Sequence, residues 1–430
     1  MRRLSTKNFI LSIFLILTGI CLCGLIWPTA AKAQLAVENY FSVLDNQTDD
    51  DWEWDDEWDD EWYDIDKVKQ DIRFNRVEGL YIGFKLNKEY WRKEYPGYPF
   101  IFGGSGYAFA EKLFEYQIGL EKGFFDDYYF AFGGEIHLQM DTPDRWLMPQ
   151  WENSLAAFLL REDFHDYYQR EGFSGYITQH FTDILKTEVS YNVENYDSTE
   201  KNTNWSLFGG KKKFRENPPM NEGELHSLKA ELEFDTRNSK SSPTRGWYIQ
   251  FEGEHAGSGL KGDFNFDRYL LDIRRYQPLG FSDVLDFRLR IGSSKGDLPW
   301  QKSYHLGGLS TLRGYEYKEF PNGPDGIGGN RMLLGQLEYR LGMEDYPEAI
   351  GLGLLNSFHL ILFVDTGWVG FADTEAQFYQ GFKSLSWSDL KTDIGFALSN
   401  SSGNIRFQIA KRTDIGENDY LFSFRVSRPF

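Results

Sequence analysis

Charged and apolar residues alternate, position by position, in stretch after stretch of this sequence. In "SLKAELEFDTR", Leu228, Ala230, Leu232 and Phe234 oppose Lys229, Glu231, Glu233 and Asp235. In "DVLDFRLRIGS", Leu285, Phe287, Leu289 and Ile291 oppose Asp286, Arg288 and Arg290. "GQLEYRL" sets Leu337, Tyr339 and Leu341 against Gln336, Glu338 and Arg340, and "GNIRFQIAK" sets Ile405, Phe407 and Ile409 against Arg406 and Gln408. "LFSFRVSRPF" ends the chain with Phe422, Phe424, Val426 and Phe430 on one face and Ser423, Arg425 and Ser427 on the other. Period two means strands with one wholly apolar face. A soluble sandwich alternates in the same way, so the choice between a watery and an oily outside rests on the rest of the chain.

The first residues indicate export. Arg2, Arg3 and Lys7 precede an apolar run from Phe9 to about Trp27, and Ala31-Lys32-Ala33 follows. That is a signal peptide over 1–33, with an uncleaved anchor helix as the alternative. Cys21 and Cys23 are the chain's two cysteines and both lie in that segment, so the mature chain has no disulfide and no cysteine metal site. Past the signal, no apolar run approaches the ~18 residues a membrane helix needs. Aromatics make up 17% of the chain and the net charge is −19. A closed barrel pairs every backbone group between strands, so it suits an exported, aromatic-rich chain with strands and no spanning helix. Aromatic residues bracketing strands of roughly ten residues support lipid outside and water inside.

The pattern predicts an all-β transmembrane antiparallel barrel over 71–430. Strands are expected at 76–88, 106–121, 125–140, 171–181, 184–194, 203–209, 225–237, 245–256, 263–274, 283–293, 332–342, 357–369, 389–399, 404–412 and 418–430. "WENSLAAFLLREDFHDYY" reads either as a loop helix or as one more strand. Even parity gives 16 strands, with 14 as the alternative.

Between signal and barrel, residues 34–70 form an acidic leader. Its centre, "DDDWEWDDEWDDEWYD", places eleven carboxylates and four tryptophans in sixteen residues. Such a run resists folding and suits a solvated, disordered linker. The sharper reading is a periplasmic arm that docks on a basic partner, a separate periplasmic protein, or enters the barrel mouth, with Trp54, Trp58 and Trp62, which a helix would align, as anchors. A divalent-ion sponge lacks the glycine and ligand spacing of a calcium loop.

The loop from about Ser294 to Arg331 is long, and loops of that length are usually functional or disordered. This one holds "LGGLSTLRGYEYKEF" and has no low-complexity character, so it is expected to fold back into the lumen. Arg313 then needs carboxylates, because an unpaired charge in a confined site is costly. Glu338 lies on the polar face of the next strand and Asp365 on the strand after. If Asp365 points inward, Phe363 and Gly367 do too, while Phe358, Leu360, Leu362 and Val364 face lipid. Gly367 leaves room for a closely approaching loop.

These residues resemble the BamA-like, bacterial surface antigen superfamily of outer-membrane barrels. "LRGY" at 312–315 is similar to its sixth-extracellular-loop motif, "FVDTG" at 363–367 to its F-x-D-x-G strand, and "LEYR" at 337–340 to its glutamate-bearing strand. "DTRNSKSSPTRGW" at 235–247 matches its turn signature and "RVSRPF" its last strand. The resemblance implies that Arg313, Gly314 and Tyr315 tuck into the lumen against Glu338, Phe363, Asp365 and Gly367. It also implies that Phe430 belongs to a C-terminal assembly signal. No POTRA domain fits between signal and barrel, so the chain is expected in the subgroup without them, with "FNRVEGLYIGFKL" as first strand.

The function implied is outer-membrane biogenesis, or transfer of lipid or protein into or across the outer membrane of a Gram-negative-type bacterium. The alternatives are a passive pore or surface adhesin, and an outer-membrane hydrolase. Against the last, no G-x-S-x-G, H-E-x-x-H or phosphate loop occurs. The cluster at His165 and Asp166 reads as surface loop. The expected partners are outer-membrane lipids and lipopolysaccharide, the barrel assembly machinery during biogenesis, and a periplasmic protein at the leader. No enzyme activity, cofactor, metal or nucleic-acid partner is expected.

Overall fold

The computed structural model describes residues 67–430 apart from 96, 125–128, 258, 281, 322–327, 343–357, 401 and 415–418. The signal segment and the leader tryptophans Trp54, Trp58 and Trp62 lie outside the described residues. The described chain forms sixteen strands: β1 Val68–Asn75, β2 Gly79–Leu86, β3 Pro99–Ala108, β4 Leu113–Phe124, β5 Phe130–Asp141, β6 Tyr168–Thr182, β7 Leu185–Ser198 and β8 Gly223–Asp235. The second half contains β9 Gly246–Ala256, β10 Asn265–Pro278, β11 Val284–Asp297, β12 Arg331–Gly342, β13 Phe358–Gly370, β14 Lys391–Asn400, β15 Arg406–Arg412 and β16 Tyr420–Arg425. A short helix α1, Lys88–Glu94, follows β2, and a longer one, α2, Gln150–Leu160, lies between β5 and β6. The sheet runs β1 to β16 in sequence order. Among the described residues no ladder joins β16 to β1.

The alternation in sequence becomes an inside-out distribution of polarity. Ile72, Ile118, Phe132, Phe407 and Phe422 are exposed, while Arg288, Arg331, Arg406 and Arg425 are among the largest fully enclosed side chains. In water such a molecule would be wrong on both faces. In a bilayer the outer band meets acyl chains and the inner face holds ion pairs. On β13, Phe358, Leu362 and Val364 are exposed, whereas Phe363 and Asp365 are enclosed. No described helix is long and apolar enough to cross a membrane.

The expected count of sixteen is the observed one, but several ranges differ. The segment 76–88 is not one strand. Arg76–Glu78 is a turn, closed by Asn75 Oδ1, which accepts from the Val77 and Glu78 amides at 2.9 and 2.8 Å, and β1 precedes it. "FNRVEGLYIGFKL" therefore holds the end of β1, a turn and β2. The segment 106–121 covers the end of β3, a turn and most of β4. Residues 203–209 form no strand. "WENSLAAFLL" is helix, the first of its two readings. The last strand stops at Arg425, and Phe430 leaves the lipid-facing row: it is 8% exposed, with the Arg288 guanidinium 5.8 Å from its ring.

Candidate functional site: the loop arginine and its carboxylates

The described parts of the loop after β11, residues 298–321 and 328–330, re-enter the sheet as an irregular hairpin. Tyr304 and Gly329 exchange backbone bonds of 2.9 and 2.8 Å, and Leu306 and Phe320 exchange bonds of 3.0 and 2.9 Å. The tip turns between them, where the Gly308 amide donates to Leu312 O at 2.8 Å. Gly307 and Gly308 take φ of 126° and 74°, the left-handed side that side-chain-bearing residues avoid. Leu306, Leu312 and Tyr315 pack with Tyr304, Met332 and Leu334, so the tip has an apolar footing on the wall.

This footing delivers Arg313 to its partners. Its Nε donates to Asp365 Oδ2 at 2.6 Å and its Nη2 to Asp365 Oδ1 at 2.7 Å. Its Nη1 pairs with Glu338 Oε1. The guanidinium carbon lies 3.6 Å from the Phe363 ring centroid. One planar cation thus makes a two-toothed carboxylate bond, a second ion pair and a ring contact, a combination lysine lacks. The close fit also involves the glycines. A Cβ on Gly314 would lie 2.6 Å from Asp393 Cβ, and one on Gly367 would lie 2.8 Å from Leu306 Cδ1. The Tyr315 hydroxyl donates to Thr392 O at 3.1 Å.

Three further residues of the site were not singled out in the sequence. Gln336 Nε2 donates to Asp365 Oδ1 at 3.0 Å and to Thr311 O at 2.9 Å, tying wall to loop. Arg406 Nη1 donates to Glu338 Oε1 at 3.1 Å, so Glu338 is shared by two arginines. Asp393 stands directly across from Asp365 in the β13–β14 register and is fully buried. The strand alternation puts all three on the enclosed face. Which of many charged-face residues meet Arg313 depends on register between strands far apart in sequence.

His165 and Asp166 are buried rather than on a surface loop. His165 Nε2 lies 2.9 Å from Met148 O. Lys318, on the descending limb of the long loop, bridges Asp144 and Asp166 at 2.7 and 2.6 Å. Burial alone would raise the Asp166 carboxyl; Lys318, Arg215 and Arg76 outweigh it and hold the group below the usual carboxylate range. The cluster therefore clamps loop 142–167 to loop 298–330. Beside it lies a cavity of about 840 Å³ whose lining includes Lys229, Arg268, Arg274 and Arg290 alongside Glu231 and Glu252. Both signs are interleaved, which favours neither anions nor cations outright.

An Omp85 superfamily domain model matches residues 116–430. The outer membrane protein assembly factor BamA of Nitratidesulfovibrio vulgaris strain Hildenborough is 30% identical over 217 residues, which is 47% of this chain and 25% of that protein. The chain thus spans about a quarter of that relative's length. Among solved structures, BamA from Haemophilus ducreyi lacking POTRA domains 1–3 aligns with a TM-score of 0.51 at 15% identity, covering 83% of this chain and 69% of that one. That likeness concerns the fold. CdiB from Acinetobacter baumannii aligns at a TM-score of 0.37 and 11% identity, covering 84% of this chain and 59% of its own.

Proposed function

Because the chain belongs to the Omp85 superfamily and is an integral outer-membrane β-barrel of the Gram-negative kind, we propose that it moves protein or lipid into or across that membrane. The observation that carries this reading is Arg313, pinned between Asp365 and Glu338 at the tip of an inward-folded loop. A pore left permanently open has no use for such a device. A transfer protein needs a lumen that stays shut at rest and yields when cargo engages.

The loop is the movable part in this reading. Its release breaks the charge-assisted bonds of Arg313 to Asp365 and Glu338 together with those of Lys318 to Asp144 and Asp166. It leaves the strands untouched, because those bonds are made to side chains rather than to the ladder. Phe430 is assigned to the assembly signal, read on the extended chain before the barrel forms. The acidic leader is assigned to docking a periplasmic partner through Trp54, Trp58 and Trp62, with lipids and lipopolysaccharide around the barrel. No step of the proposed reaction makes or breaks a covalent bond.

A deletion strain tests the proposal, with outer-membrane protein profile and surface-exposed phospholipid measured together. Depletion of other barrels supports protein assembly. Phospholipid on the cell surface with a normal barrel profile supports lipid transfer. A normal profile with normal lipid asymmetry contradicts both.

A further inference from the structure

Among the described residues the sheet has two free edges, β1 and β16, and helix α2 touches both. Toward β1, Ser154 Oγ accepts the Phe74 amide at 3.2 Å and the Phe158 ring meets the Phe74 ring at 5.7 Å, edge to face. Toward β16, Glu152 takes Arg425 Nε and Nη2 at 2.8 and 2.9 Å, and its Oε1 also accepts the Val426 amide at 2.8 Å. Side chains of one helix therefore receive an amide of the β1 edge strand and one just past the end of β16.

The free end of the helix is held as well. Carbonyls of a last helical turn have no partner within the helix. Here the Leu207 and Phe208 amides donate to Phe158 O and Leu159 O at 2.8 and 2.9 Å. This is the segment 203–209 whose alternation imitates a strand.

The outer face settles what covers the assembly. Glu152, Asn153 and Ala157 are buried, while Trp151 and Leu155 are exposed on the opposite side and Leu160 is exposed at the helix end. Trp205, Leu207 and Phe208 are exposed too, Phe208 at 70%. A helix on a watery surface turns its apolar stripe inward. This one has its polar residues inward and apolar residues outward, the same inversion as the strands. Both flanking edges continue the apolar band, with Ile72 on β1 and Phe422 and Phe424 on β16 exposed.

We infer that α2 and segment 203–209 form a helical panel in the barrel wall, filling the seam between β1 and β16 and facing lipid acyl chains. A strand seam opens by unzipping a ladder. This one opens by withdrawing a helix held at a few side-chain points. Withdrawal is also coupled to the long loop, because Arg425 Nη1 donates to Ser310 Oγ at 2.8 Å, three residues from Arg313.

The test is nitroxide accessibility in proteoliposomes of outer-membrane lipid, using the full chain with Cys21 and Cys23 replaced by Ser. Labels go on Leu155→Cys and Leu207→Cys, with Phe422→Cys as the lipid-facing reference. Heat-modifiable gel mobility selects folded variants, and two label sites guard against one failing. The expected result is collision with oxygen well above collision with a water-soluble nickel chelate, as at the reference. Nickel access exceeding oxygen access at both sites would overturn the panel. With Glu152→Ala and Ser154→Ala combined, the Leu155→Cys label should gain nickel access severalfold. No change would overturn the assignment of those residues as anchors.

Discussion

Replacing Arg313 by Ala would leave Glu338 and Asp365 enclosed with one charge partner gone. Breaking a buried pair in this way costs about 3–5 kcal/mol, and less where water enters. The expected outcome is a loop cut by protease in folded barrels and a lower temperature for loss of the compact gel form. Arg313→Lys keeps the charge but loses the two-toothed bond to Asp365, so it should fall between wild type and Arg313→Ala in both assays. At this scale the sequence was informative about the centre of the site and silent about its rim. Arg313 stood out because a charged residue among glycines and aromatics demands a reason. Arg406 lies on a strand whose charged face was evident, yet nothing local distinguishes it from other charged-face residues, and Asp393 shares its face with Gly395, Ala397 and Ser399, which gives no charged pattern to read. Their role comes from register, as Asp393 lies opposite Asp365 and Arg406 reaches Glu338 from a strand 68 residues on.

Among the elements, glycine decides how closely the loop approaches the wall. Gly314→Val places a branched side chain where even a Cβ would meet the β14–β15 wall. The strands do not depend on that position, so the variant should fold, with full heat-modifiability, and expose the loop to protease as Arg313→Ala does. Strand recognition failed where local pattern and chain path part company. The turn Arg76–Glu78 joins two strands whose apolar residues keep one phase, Ile72 and Phe74 before it and Leu80 and Ile82 after it, and its one clear marker was Gly79, at φ 64°. β3 holds Gly103, Gly104 and Gly106 in a ten-residue strand, which weakens its signal. Segment 203–209 alternates as a strand does, but it spends its amides on the end of α2. Period two reports which side chains face oil, and it does not report which backbone they lie beside.

For the whole molecule, the inside-out polarity was legible in full, because charged faces on so many strands of one exported chain are stable together only around a shared polar interior. The open ladder between β1 and β16 was not, since closure depends on a helix contributed by the connection between β5 and β6. The leader belongs to this scale too. Deleting residues 49–64 should leave barrel assembly and heat-modifiability unchanged and abolish recovery of a periplasmic partner in cross-linked pull-downs. Equal recovery with and without the segment would remove the docking assignment.

The central claim is that one arginine-held loop shuts the lumen, and single-channel recording in planar bilayers tests it most directly. Wild type should stay closed with rare, brief openings, and Arg313→Ala, checked as folded by gel mobility, should show frequent and longer-lived ones. Identical records from the two proteins, whether both closed or both open, would contradict the account.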